Sequence, residues 1–147
     1  MTPYAITVAP HSDLQVLAKI IKVMEYMPDI ELPDKEEVSC HMIARALAEF
    51  FPVQYKDGYF PRKGYQHSWL VTQTGNVIDA YPWAIVGGPV MLDMRLGSPW
   101  NGMFQAHPLL SLENEEFKRN TQTVTEAMRE VINKLGIKPE PLVVRAA

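Results

Sequence analysis

Apolar positions along the chain change texture twice, from helical spacing to short alternating runs and back to helical spacing. Leu14, Leu17, Ile20, Ile21, Met24 and Met27 recur at helical intervals until Pro28, with Ser12 and Gln15 forming a capping-box pattern at the front. A second stripe, Ile43, Ala44, Leu47, Phe50 and Phe51, stops at Pro52. A third runs through Phe117, Val124, Met128, Val131 and Leu135, and Gly136 follows where a left-handed cap favours glycine. Between the second and third stripes lie the β-prone runs Val53 to Tyr55, Tyr59-Phe60, His67 to Thr72 and Val77 to Trp83, with Asp57-Gly58 reading as a turn. Residues 86 to 108, rich in Gly and Pro, offer a further strand at Val90 to Met94 and then a long loop through Ser98-Pro99-Trp100-Asn101-Gly102. The tail with Pro139 and Pro141 reads as extended. The pattern predicts an α+β fold, helices packed on an antiparallel sheet, in one domain over residues 1–147.

Where the second helix begins decides what its neighbourhood can do. Asp34 with Glu37 completes one capping box; Ser39 caps a shorter helix whose first residue is Cys40. In the shorter version the unpaired N–H groups and the positive end of the helix favour a thiolate at Cys40. One or two turns further in, that help is mostly gone.

Composition narrows the partners. At 147 residues and 47% hydrophobic the chain is large enough for one real core. A net charge of -3, with no basic cluster longer than a pair, gives no phosphate-binding surface, so nucleic acid is not expected. Neither a secretory leader nor a membrane span is expected, and the reading is a cytoplasmic protein. Its single cysteine excludes an internal disulfide and leaves Cys40 as either a small buried hydrophobe or a working thiol.

Cys40 is followed by His67 opening a strand and Asp79 in the next, the order of nucleophile, base and orienting acid in one large group of thiol enzymes. Cross-strand geometry makes this testable. A two-residue turn at Thr74-Gly75 pairs Leu70 with Asp79 and sends His67 and Asp79 to opposite faces. A three-residue loop, Gln73 to Gly75, sets Trp69 opposite Asp79 with His67 diagonal to it on the same face, and requires Gly75 in a left-handed or bulge conformation. A free thiol is only a few per cent ionised near neutrality, so Cys40 needs an imidazole to hold its proton, and that imidazole needs a carboxylate to fix its tautomer. Backbone N–H groups at the start of the Cys40 helix supply part of an oxyanion site; Gln54 and Gln66 are the only side-chain guesses for the rest.

Ser39-Cys40-His41 leading an Ala/Leu-rich helix, then His67-Ser68-Trp69-Leu70 and a Gly75 hairpin returning through Ile78-Asp79-Ala80-Tyr81-Pro82, resembles the core of the transglutaminase-like branch of papain-type cysteine enzymes. The resemblance runs from Cys40 to Pro82; Ser39 stands where that family often has glycine, and no oxyanion Trp or Gln is matched. It implies a papain/transglutaminase-like core, Cys40 as nucleophile, His67 as base and Asp79 as orienting acid. It further implies an amide-type acyl substrate, such as a peptide, a protein side-chain amide or a small acyl compound, passing through a thioester. Trp69, Tyr81 and Trp83 are then candidates to line a substrate groove, or simple rim packing. No cofactor and no metal are expected: Cys40, His41, His67 and His107 include suitable ligand types, without the paired spacing that gathers them. The competing reading is a noncatalytic peptide- or protein-binding module on the same fold. Cys40 also shares the face of Ile43 and Leu47, as an inert core cysteine does. Oligomeric state is left open.

Overall fold

The computed structural model describes residues 11–34, 37–61, 63–80, 89–92, 94 and 98–142. Three helices, α1 (His11–Tyr26), α2 (Cys40–Phe50) and α3 (Glu115–Leu135), accompany five strands: β1 (Val53–Tyr59), β2 (Gln66–Thr72), β3 (Val77–Asp79), β4 (Val90–Leu92) and β5 (Gln105–Ala106). The strands form one antiparallel sheet in the order β4-β3-β2-β1-β5. The α+β expectation holds at this level.

Alternation along the strands divides the apolar residues in two. Val53, Leu70, Ile78 and Met91 join Ile20, Leu47, Phe50, Val124, Met128 and Ile132 from the helices in the main core. Trp69, Val77 and Leu92 form a smaller cluster, against which Val71, Trp100 and Phe104 pack. Burial of the first group supplies most of the driving force, at about 1.5–3 kcal/mol per fully buried large side chain.

The helix ends explain much of the local order. Ser39 is extended (φ -111°, ψ 164°) and its side chain accepts from the Met42 N–H, so α2 is the short helix and Cys40 is its first residue. Asp34 takes a different role, accepting from Arg119 at 3.0 Å while its own N–H donates to Asn120 Oδ1. It pins the α1–α2 connection to α3. Asn114 caps α3 through the Phe117 N–H, and Gly136, at φ 69°, closes it with bonds from Gly136 and Ile137 back to Asn133 and Ile132. Helix α1 already includes His11, so Ser12 stands inside it and not at its cap. Within the tail, residues 137–142 are neither helix nor strand, and the Glu140 N–H donates to Phe50 O.

Two strand readings need correction. Asp57-Gly58 is not a turn: β1 runs unbroken through it to Tyr59, with Gly58 opposite His67. Glycine is required there because a Cβ would lie 2.0 Å from Gln105 O and 2.8 Å from the Trp69 ring, where β5 pairs with β1. The Asp-Gly dipeptide signals a turn only when nothing else demands a missing side chain. Strand β4 also ends at Leu92, short of Met94, and β3 is confined to Val77–Asp79; the remainder of the predicted Val77 to Trp83 run after Ala80 lies outside the described residues.

Candidate active site

The β2–β3 hairpin has the odd loop. Leu70 pairs with Ile78 and Val71 with Val77, the Thr72 N–H bonds to Asn76 O, and Gly75 has φ 89°. Gln73, Thr74 and Gly75 are therefore the three loop residues. A buried carboxylate from α1 fixes this turn: Asp13 Oδ2 accepts from Thr72 Oγ1 (2.8 Å), Thr74 Oγ1 (2.5 Å) and Asn76 Nδ2 (3.1 Å). With that register, His67 and Asp79 meet on one face.

His67 Nε2 donates to Asp79 Oδ2 at 2.7 Å, and both side chains are 0% exposed. Such a carboxylate needs a positive partner, because leaving one buried charge uncompensated costs about 3–5 kcal/mol. Asp79 Oδ1 finds no hydrogen bond, which leaves the imidazole as its compensation. Aromatic rings enclose that imidazole: Phe60 at 5.7 Å, Trp69 at 6.3 Å, and Phe104 stacked on Phe60 at 4.0 Å. The loop before β5 contributes Trp100 and Phe104 to this wall.

Cys40, half-buried at the start of α2, interacts with both His41 and His67. Burial pushes its thiol up, but hydrogen bonding and charge from the two imidazoles outweigh this and bring it from an ordinary 9.0 to about 6. Burial likewise opposes protonation of His67, and the bond to Asp79, then Cys40, overcome it to raise the imidazole from 6.5 to about 9. Both shifts favour the thiolate and imidazolium form of the pair between those values. His67 Nδ1, the ring nitrogen not used by Asp79, makes no hydrogen bond of full geometry.

A second group, missed by the sequence reading, adjoins the thiol. His41 Nδ1 lies 2.7 Å from Ser68 Oγ, Ser68 donates to Asp57 Oδ1 at 2.6 Å, and Arg45 grips both Asp57 oxygens at 2.9 and 2.6 Å. Burial pushes the Asp57 carboxyl up, and Arg45 and Ser68 more than offset it, leaving it below its ordinary value. The sequence signals were His41 beside the cysteine and Ser68 beside the histidine. Nothing local joins them, since 27 residues separate the two.

The other expected site residues fare unequally. Trp69 is 3% exposed and packs edge-on to Phe104 at 5.1 Å, so it forms the wall behind His67 and offers no open groove surface. Tyr81 and Trp83 lie outside the described residues. Gln54 sits opposite Val71, and Gln66 accepts from Ser111. The cap takes the Met42 N–H and the Ile43 N–H returns to Ser39 O, so the Cys40 and His41 N–H groups stand outside the helix ladder, where oxyanion donors are expected from the sequence. His107 Nδ1 donates to Pro108 O, and its ring packs 5.1 Å from Tyr59.

No group of three or more potential metal ligands gathers among the described residues, and none of their helices is long and apolar enough to cross a membrane. No family model, curated protein or solved structure matches this chain.

Proposed function

We propose that the protein is a thiol enzyme acting on an amide-type acyl bond through Cys40, His67 and Asp79, as a peptidase, deamidase or acyltransferase with a transglutaminase-like, papain-type core. The observation that carries this reading is the buried His67, bonded through Nε2 to Asp79 at 2.7 Å and left with an unpartnered Nδ1 beside a thiol of lowered pKa. Attack of the Cys40 thiolate on a carbonyl forms the carbon–sulfur bond and an oxyanion facing the start of α2. Collapse expels the amine, which takes the proton from His67, and leaves a thioester. Neutral His67 then removes a proton from water or an acceptor amine, which attacks the thioester and releases the thiolate. Asp79 holds the ring in one tautomer throughout.

The test is covalent capture. Wild-type protein mixed with a chromogenic aryl ester, and separately with a glutamine-containing peptide, is expected to give a burst of leaving group and a mass increase located on Cys40. Cys40→Ala is expected to give neither. A wild-type thiol that is not acylated, and that reacts with iodoacetamide no faster than a free thiol at pH 7, overturns the reading and leaves a noncatalytic binding module with a packing cysteine.

A further inference from the structure

The hydrogen bonds of the second group have a fixed direction. Asp57 is a carboxylate held by Arg45, so it only accepts, and the single hydroxyl proton of Ser68 is committed to it at 2.6 Å. Ser68 Oγ must then accept from His41, and the proton on that ring sits on Nδ1. In neutral His41 this leaves Nε2 as the basic atom. His67 has the opposite arrangement, with Nε2 donating to Asp79 and Nδ1 free. Each ring is therefore oriented by a carboxylate arm and keeps one nitrogen that the arm does not use, and both imidazoles lower the thiol of Cys40, whose neighbour in the first turn of α2 is His41.

We propose that His41 is a second proton acceptor for Cys40, with Ser68 and Asp57 as the positioning residues that set its tautomer. The transfer moves the proton from Cys40 Sγ to His41 Nε2, giving thiolate and imidazolium with no other bond changed. Its distinctive consequence is that Cys40 keeps part of its acidity when His67 is removed. The inference rests on Cys40 being the working thiol of the proposed function.

Alkylation by iodoacetamide, followed by intact mass from pH 4.5 to 10, tests it, since the lone cysteine makes the readout specific to one site. His41→Asn is the informative variant. Its amide nitrogen can replace Nδ1 in the bond to Ser68 while nothing replaces Nε2, so a merely structural role of His41 survives and its proton chemistry does not. The expected result is a thiolate limb moved up by about one pH unit, seen as about tenfold slower labelling on the acidic side. Ser68→Ala is expected to move the limb the same way by a smaller amount, about threefold in rate. His67→Ala is expected to leave a thiol still more acidic than 9.0, and adding His41→Asn to it is expected to abolish that remainder. A His41→Asn profile superimposable on wild type, or a His67→Ala thiol already back in the ordinary range, overturns the proposal while the wild-type profile still supports the thiol enzyme. A wild-type thiol that itself titrates in the ordinary range overturns both.

Discussion

Two arms reach the Cys40 thiol from successive residues of β2, and they differ in how far each excludes water. His67 and Asp79 form a two-membered arm that is fully buried and, among the described residues, has no cation other than the imidazole itself. The Ser68 arm has four members, and its carboxylate is already paired with Arg45 at a site where the two side chains are 18% and 19% exposed. In low dielectric an unshared carboxylate acts strongly on its imidazole; a carboxylate shared with a guanidinium near solvent acts weakly. On the proposed reading, the dry arm is then the stronger proton acceptor for Cys40 and the wetter arm, through His41, the weaker one.

Asp79→Asn breaks the stronger arm and carries the largest expected effect. The amide keeps the volume but removes the charge that raises His67, so the upper limit of the imidazolium range falls from about 9 toward or below 6.5. Acylation at pH 7.5 is expected to drop by roughly 10²-fold or more, within the range for loss of general acid–base function. A burst rate and upper pH limb unchanged by this substitution would mean that His67 works without its carboxylate.

Gly58→Ala sharpens the comparison by disturbing one arm's wall, while none of the other arm's side-chain hydrogen bonds runs through the residues it strikes. The added methyl meets Gln105 O and the Trp69 ring, so β5 and the aromatic enclosure of His67 must shift. Overpacking of this kind costs about 1–3 kcal/mol, readable as a lower denaturation midpoint. The acid limb of Cys40 alkylation is expected to move up, because a wetter His67 holds its proton less firmly against Asp79. The side-chain hydrogen bonds joining His41, Ser68, Asp57 and Arg45 involve neither Gly58 nor Trp69, and only the Asp57 carbonyl, which accepts from the His107 N–H, touches the shifting segment. Destabilisation without any change in the alkylation profile would separate the wall from the chemistry.

The sequence exposed the two arms unequally for a physical reason. The period of two along a strand turns loop length into a statement about faces, so the relation of His67 to Asp79 followed from counting residues 73 to 75. Ser39 likewise carried its own evidence, since a cap acts on the three residues that follow it. The second arm depends on how α2 lies across β1 and β2, which brings His41 to Ser68 and Arg45 to Asp57, and no local periodicity encodes that crossing. Gly58 misled for a related reason. Its demand comes from β5, a two-residue strand 47 positions later with no signature of its own.

The smallest expected effect asks which arm holds the proton at rest. His67, raised from 6.5 to about 9, contributes stability that is complete below 6.5 and is lost as pH rises through about 9. Cys40, lowered from 9.0 to about 6, contributes stability present above 9.0 and lost as pH falls through about 6. Between 6.5 and 9 the folded pair binds one proton, on the imidazole, and the unfolded pair also binds one, on the thiol. Folding moves the proton without taking it up, so the two slopes cancel in the wild type. Cys40→Ala removes one of them and exposes the other. Its stability is expected to fall relative to wild type between pH 6.5 and 8.5, by no more than about 1.4 kcal/mol for each pH unit crossed while His67 remains protonated. Urea midpoints across that range, taken as a difference between the two proteins, cancel every other titrating group. Parallel curves would mean that His67 does not hold the proton at rest, and would move the resting imidazolium to His41 or leave the thiol protonated.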